Sequence, residues 1–204
     1  EETDRLKVIL DPGLTFGTGA HPSTQMVMEK MEEVVQPGFR CLDLGSGSGI
    51  LSIAGLRLGA GCAVGVDIDP KAEDAARENA GYNGFAAPEF TALTGNVTTD
   101  KSLMEKLSRE CYDVVLVNIV ADVIIHLAPV LPAFLTEHSV AILSGILNTR
   151  LEEVIAALEA AVHRIDVLCP DGVVMLGDYI TDCPYPRRTM DLIYALRQKY
   201  QGYM

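Results

Sequence analysis

The sequence predicts an α/β fold built on a mostly parallel β-sheet that helices cover on both faces. Five apolar, β-rich runs recur along the chain, at residues 40–44, 63–66, 90–93, 114–117 and 140–143. Stretches with helical features separate these runs. Continuously apolar strands are buried on both sides, and their alternation with helices is typical of a parallel sheet.

Helices are predicted over residues 23–35, 50–58, 70–82, 102–108 and 151–161. Asp69 is expected to cap the third of these helices, and Pro70 occupies a first-turn position that suits proline. Ser102 and Thr149 each precede a glutamate by three residues. This capping-box pattern predicts the starts of the last two helices.

Two strand-like runs at 164–168 and 173–180 follow this alternation. Pro-Asp-Gly at residues 170–172 separates them. These are typical turn residues, so a hairpin is predicted. The hairpin would bring the sheet to seven strands and make the last strand antiparallel. Residues 187–204 are expected to form a further helix, whose apolar side either packs on its own domain or forms a partner surface.

The composition restricts the partners and the compartment of the protein. The chain has 204 residues, enough for one domain of ordinary size. Its net charge of −12 argues against a nucleic-acid binder, which needs a basic face for phosphates. The five cysteines are odd in number and form no Cys-x-x-Cys pair. We therefore expect reduced thiols and a cytoplasmic location.

Other classes are disfavoured by what the sequence does not contain. No apolar run approaches the roughly 20 residues of a membrane span. The charged first residues lack the apolar core of a signal peptide. The four histidines are far apart in sequence, so no metal site is predicted.

Residues 42–49, which read LDLGSGSG, predict a buried strand that runs into a glycine turn and then a helix. Glycines at these positions let the backbone approach a ligand closely and adopt positive φ. Gly45, Gly47 and Gly49 follow G-x-G-x-G, whereas the dinucleotide fingerprint places its third glycine where this chain has Ile50. A nicotinamide cofactor is therefore disfavoured. By itself, the pattern also fits a tight strand-to-helix connection.

Asp67 supports a nucleoside ligand. It ends the second apolar run about 20 residues after Gly45, near the spacing of a ribose-binding acid. A carboxylate there can accept hydrogen bonds from both ribose hydroxyls. The next residue, Ile68, is placed to cover adenine. Together with the expected antiparallel last strand, these features favour S-adenosylmethionine as the cofactor.

Residues 10–24 carry a more specific pattern. They read LDPGLTFGTGAHPST, a loop that leads into a helix. This stretch resembles, nearly letter for letter, the D-P-G-x-x-F-G-T-G-x-H-x-x-T signature of the PrmA-type protein methyltransferases. The resemblance covers roughly residues 8–160, with further matches at 42–53, 65–70, 76–80, 83–84, 117–119 and 143–147.

The resemblance implies a class I methyltransferase, with a Rossmann-like fold, that transfers methyl groups from S-adenosylmethionine to amines. The implied acceptors are lysine side chains and the N-terminus of large-subunit ribosomal protein eleven. Cofactor contacts carry over to Thr24, Gly45, Asp67 and Asn118, and Gly47 lies in the same loop. Asn118 also takes the catalytic role, because its amide can accept a hydrogen bond from the incoming amine.

The resemblance also places residues at the mouth of the site, namely Phe16, Thr18 and His21. His21 alternatively reads as a loop histidine bonded to backbone. Thr24 is expected to begin a helix whose free N–H groups suit the methionyl carboxylate of the cofactor.

The implied organisation is a single catalytic domain over residues 1–204. Its signature loop would span 1–22, its core 23–183 and a C-terminal helical extension 184–204. We expect that the family's N-terminal recognition domain is absent, and that a chain without an initiator methionine is a fragment.

Three alternatives stay open. The same core could methylate another protein or a small molecule, because we expect the family's recognition domain to be absent. It could also bind the cofactor without catalysis and act as an interaction module. A nicotinamide-dependent dehydrogenase ranks last, because of Ile50 and the predicted hairpin.

Overall fold

The computed structural model describes residues 5–11, 17–136, 138–162 and 172–177 of the chain. Six strands form one sheet: β1 (Arg40–Leu44), β2 (Cys62–Asp67), β3 (Phe90–Thr94), β4 (Val114–Asn118), β5 (Val140–Ile146) and β6 (Gly172–Gly177). Their order is β3-β2-β1-β4-β5-β6, and every pairing is parallel. The order reverses between β1 and β4, where open α/β sheets bind their ligands.

The described helices are α1 (Pro22–Val34), α2 (Ile50–Arg57), α3 (Pro70–Tyr82), α4 (Lys101–Ser108), α5 (Ala121–Leu127) and α6 (Leu151–Val162). Short 3-10 turns occupy Leu131–Phe134 and Asn148–Arg150. Buried residues of α1, α2 and α3 join one core cluster, and those of α4, α5 and α6 join the other. The predicted parallel sheet with helices on both faces is confirmed.

Strand β4 shows why these runs form central strands. Val115 and Val117 belong to one core cluster, whereas Val114 and Leu116 belong to the other. All four are at most 1% exposed. Successive side chains of a strand point to opposite faces, so a strand buried on both sides is apolar at most positions.

The predicted cap of α3 is confirmed, because Asp69 Oδ1 accepts a hydrogen bond from Lys71 N at 2.9 Å. The cap predicted at Ser102 is wrong. Asp100 caps α4 instead and accepts from Leu103 N at 3.0 Å, three residues further on, as an N-cap side chain does. Thr149 is not an N-cap either, because it lies inside the 3-10 turn that leads into α6.

The predicted antiparallel last strand is not confirmed, because β6 runs parallel to β5. The chain reaches β6 after α6, and a strand–helix–strand connection returns the second strand parallel to the first. The other strand of the predicted hairpin, 164–168, and the helix over 187–204 lie outside the described residues. The seventh strand therefore stays a prediction.

Within the described ranges, no helix is both long and apolar enough to cross a lipid bilayer. The three cysteines that these ranges include, Cys41, Cys62 and Cys111, are not disulfide-bonded. The remaining two, Cys169 and Cys183, lie outside them.

Candidate functional site

The sequence-predicted residues meet at the carboxyl edge of the sheet. The glycine turn follows β1, Asp67 ends β2 and Asn118 ends β4. Because β1 lies between β2 and β4, the turn has the carboxylate on one side and the amide on the other.

The glycine turn needs residues without side chains. Gly45, Gly47 and Gly49 have φ values of +82°, +51° and +79°. A Cβ on Gly49 would lie 2.9 Å from Ala76 Cβ in α3. Gly45 N donates to Val66 O in β2 at 2.8 Å, which ties the turn to the neighbouring strand. Positive φ and close approach are the two conditions that glycine alone satisfies at low cost.

Asp67 is held by backbone donors and keeps capacity for a ligand. Its Oδ2 accepts from Gly47 N at 2.9 Å, and its Oδ1 accepts from Asp69 N at 3.0 Å. An ionised carboxylate has about four acceptor positions. The residue is half-buried, and the next side chain, Ile68, is 73% exposed. A partly exposed carboxylate with remaining lone pairs fits a diol such as ribose.

Asn118 and Thr24 form a direct contact across the site. Asn118 Nδ2 donates to Thr24 Oγ1 at 3.2 Å. This bond uses the amide nitrogen and orients the side chain. The amide oxygen of Asn118 is the group that an incoming amine would need as an acceptor.

The start of α1 differs from the expectation of free N–H groups. Ser23 N donates to His21 Nδ1 at 3.2 Å, and Thr24 N donates to His21 O at 3.0 Å. Both donors are therefore already engaged by the capping histidine. The structure places the Thr24 hydroxyl, rather than its N–H, in contact with the candidate catalytic residue.

His21 is the N-cap of α1, which confirms the alternative reading of a loop histidine bonded to backbone. Thr18 Oγ1 accepts from Ala20 N at 3.5 Å, so this hydroxyl contacts its own loop. Phe16 lies outside the described residues. A role for these three residues at the mouth of the site stays a prediction.

Asp43 is a buried acid that the motif analysis missed. It lies in β1, two residues before the glycine turn, and is 1% exposed. Its Oδ2 accepts from Ser52 N at 3.2 Å and from Ser52 Oγ at 2.9 Å, while its Oδ1 has no hydrogen-bond partner among the described residues. Burial raises the pKa of Asp43 to about 7. The sequence signal that could have identified Asp43 is its position as a carboxylate within an otherwise apolar strand.

Ser48 connects the glycine turn to two points of the signature loop, to Gly17 directly and to Asp11 through Asn79. Asn79 Nδ2 donates to Ser48 O at 2.9 Å, and Asn79 Oδ1 accepts from Asp11 N at 2.8 Å. Ser48 Oγ donates to Gly17 O at 2.6 Å. These bonds join residues about 30 or more positions apart, so spacing along the chain does not reveal them.

Across residues 5–11, 17–136, 138–162 and 172–177, no three His, Cys, Asp or Glu side chains cluster as metal ligands would. The arrangement can hold a nucleoside with a carboxylate and a glycine turn, and it can orient a second reactant with an amide.

Comparison with known proteins identifies the family. The family model described as "Ribosomal protein L11 methyltransferase (PrmA)" matches residues 1–172. The chain belongs to this family. The resemblance read from the signature loop is thereby confirmed.

PrmA relatives share about two fifths of their aligned residues with this chain. The ribosomal protein L11 methyltransferase of Ectopseudomonas mendocina is 41% identical over 176 residues, which cover 86% of this chain and 57% of that protein. The corresponding protein of Lachnospira eligens is 38% identical over 162 residues, which cover 78% and 51%. The chain thus spans about half the length of the curated relatives it matches.

A solved PrmA structure has the same fold. The crystal structure of ribosomal protein L11 methylase from Lactobacillus delbrueckii subsp. bulgaricus aligns with a TM-score of 0.65 at 33% identity and covers 76% of this chain and 74% of that one. A TehB-like SAM-dependent methyltransferase from Corynebacterium glutamicum aligns with a TM-score of 0.52 at 17% identity, over 66% and 71%. The second likeness concerns the fold alone.

Proposed function

We propose that this chain is the catalytic part of an S-adenosylmethionine-dependent N-methyltransferase that acts on amines of ribosomal protein L11. One observation carries the proposal: Asp67, bonded to the glycine turn, and Asn118 lie on either side of that turn at the edge where α/β sheets bind ligands. Membership of the PrmA family and the names of its relatives support the choice of substrate.

The residues present fit the methyl donor. Asp67 would hold the ribose, the turn at Gly45 and Gly47 would lie under the ribose and methionine portions, and exposed Ile68 would cover adenine. Thr24 would contribute through its hydroxyl next to Asn118. When bound, the donor supplies an electrophilic methyl group on a sulfonium.

The chain's part in the transfer is to present a neutral amine in line with that methyl carbon. A free lysine has a pKa of about 10.4, so the site must favour the neutral form, through desolvation or the neighbouring positive charge. The amine lone pair would then form the N–C bond as the S–C bond of the donor breaks and leaves its electron pair on sulfur. The product ammonium would later lose a proton to water.

Asn118 would orient the amine, because its Oδ1 can accept an N–H while the lone pair faces the methyl group. Among the residues that the structure describes, we see no group that must act as a dedicated base. Alignment of the two reactants therefore supplies most of the rate enhancement.

An enzyme that methylates several amines of one substrate needs a site that is open to solvent where the amine enters. Val120, two residues after Asn118, is 63% exposed. An exposed residue so close to the candidate acceptor amide is compatible with lysine side chains and an N-terminus entering in turn. The cytoplasmic location and the division into a 1–22 loop, a 23–183 core and a 184–204 extension stay predictions.

The decisive test is methyl transfer from radiolabelled S-adenosylmethionine to purified ribosomal protein L11. We expect label on that protein, at lysines and the N-terminus, mapped by mass spectrometry. A parallel reaction with a cell extract serves as the control. Label on another protein or a small molecule of that extract, and none on ribosomal protein L11, would show that the proposed substrate is wrong. Cofactor binding without any labelled product would support the non-catalytic alternative.

A further inference from the structure

Ile119, the residue after Asn118, lies between two glycines of neighbouring strands. Gly45 follows β1 and Gly145 lies in β5, the two strands that flank β4. Ile119 N also donates to Ser144 O at 3.2 Å. The position of Ile119 therefore depends on both neighbours of β4.

On the β5 side, the backbone of Ile119 occupies the space where a side chain of residue 145 would be. A Cβ on Gly145 would lie 2.5 Å from Ile119 O, 2.9 Å from its carbonyl carbon and 3.2 Å from its nitrogen. Gly145 has a φ of +83°, and the pairing of β5 with β6 is irregular between Leu143 and Ile146. Glycine at an irregular strand position commonly marks a close backbone approach.

On the β1 side, the side chain of Ile119 makes the contact. Its Cγ2 occupies the space of a Cβ on Gly45, the first glycine of the turn. One residue therefore touches the proposed cofactor turn with its side chain and β5 with its backbone. Asn118, directly before it, is held in addition by Thr24.

We propose that Gly145 and Ile119 are positioning residues for methyl transfer. The missing side chain of Gly145 lets the Ile119 backbone lie against β5, and the Ile119 side chain sets the distance from Asn118 to the glycine turn. The inference rests on the proposed function. It matters because a misplacement of about 1 Å can lower the rate about 100-fold in a reaction that depends on alignment.

The test compares Gly145→Ala with Gly84→Ala. Gly84 has a φ of +81°, nearly that of Gly145, but a Cβ there meets no described atom within 4 Å. Gly84→Ala thus reproduces the backbone strain without the contact. With ribosomal protein L11 as the substrate, we expect kcat to fall on the order of 100-fold for Gly145→Ala and about twofold or less for Gly84→Ala. The Kd of S-adenosylhomocysteine should stay within about threefold of wild type in both.

Equal kcat in the two glycine variants would overturn the inference. A low rate for Gly145→Ala that returns to the wild-type value at saturating cofactor would also overturn it, because the defect would then lie in cofactor binding. If circular dichroism shows that Gly145→Ala does not fold, Ile119→Ala tests the inference instead. It removes the contact with Gly45 at a half-buried position, and we expect kcat to fall about tenfold at saturating cofactor. Wild-type kcat in Ile119→Ala would contradict the proposal. A wild-type chain without methyl transfer would instead contradict the proposed function.

Discussion

At the scale of single residues, Asp67 and Asn118 are held by different groups, which separates their roles. Asp67 is bonded to Gly47 of the turn, so its loss disturbs the proposed cofactor site directly. Asn118 is bonded to Thr24 and lies on the opposite side of the turn. We therefore expect cofactor affinity to depend on the first and turnover to depend on the second.

Asp67→Ala should weaken S-adenosylmethionine binding by about 10- to 100-fold, because hydrogen bonds to a charged group contribute about 1.5–3 kcal/mol. Isothermal titration calorimetry measures this directly. Asp69→Ala is the matched control. It removes the α3 cap and should cost about 1 kcal/mol of stability with unchanged affinity. Wild-type affinity in Asp67→Ala would mean that the ribose is held elsewhere.

Asn118→Ala should lower single-turnover rates more than cofactor affinity, by about 10- to 1,000-fold, since its amide is expected to orient the amine. Thr24→Val keeps the shape of the side chain but removes the hydroxyl that Asn118 Nδ2 contacts. Thr24→Val should also lower the single-turnover rate, but by less than Asn118→Ala. An unchanged rate for Asn118→Ala at saturating cofactor would exclude the proposed role.

Asp43 should make the free energy of unfolding depend on pH. Its pKa is raised from 3.8 to about 7, so the folded state holds a proton that the unfolded state has released. The contribution of Asp43 is therefore largest below pH 4 and is lost as the pH rises to about 7, with a slope of at most about 1.4 kcal/mol per pH unit. Asp43→Asn should flatten this slope in urea titrations between pH 4 and 7. An identical slope in the variant would contradict the raised pKa.

At the scale of elements, α3 and its C-terminal cap, Asn83, hold the segment of residues 5–11. Asn83 Oδ1 accepts from Ile9 N at 2.9 Å, and Asn83 Nδ2 donates to Ile9 O at 2.6 Å. Asn79, one helical turn earlier, holds Asp11. Asn83 caps the C-terminus of α3 and its Nδ2 also donates to Asn79 O at 2.8 Å, so the two asparagines bind the segment side by side. Helix α3 thereby connects this segment to the glycine turn.

Asn83→Ala should release residues 5–11 from α3, because two backbone groups of Ile9 lose their partner. Trypsin should then cleave after Arg5 or Lys7 several-fold faster, measured by mass spectrometry over a time course. Tyr82→Phe is the control on the same helix, since it removes only an exposed bond to Glu78. Equal cleavage rates in the two variants would show that the asparagine does not hold the segment.

At the scale of the whole molecule, ligand binding should be visible as thermal stabilisation. S-adenosylhomocysteine at 100 times its Kd should add about 2.7 kcal/mol, which shifts Tm by roughly 5–10 °C in a domain of this size. NAD at the same concentration should produce no shift, because Ile50 replaces the third glycine of the dinucleotide fingerprint. A larger shift with NAD would contradict the proposed cofactor.

The sequence by itself determined the central strands, the glycine turn and the placement of Asp67 and Asn118 at strand ends. These features depend on local patterns: a strand buried on both faces is mostly apolar, and a turn with positive φ favours glycine. The signature at residues 10–24, a contiguous run of the chain, determined the family in the same way.

Only the tertiary structure decided the contacts between distant residues. Asn118 meets Thr24 across 94 positions, Ile119 lies between Gly45 and Gly145, and β6 pairs in parallel with β5. The N–H groups at the start of α1 are likewise engaged by His21 rather than free. Such contacts follow from how strands and helices pack against each other, and spacing along the chain does not reveal which distant residues meet.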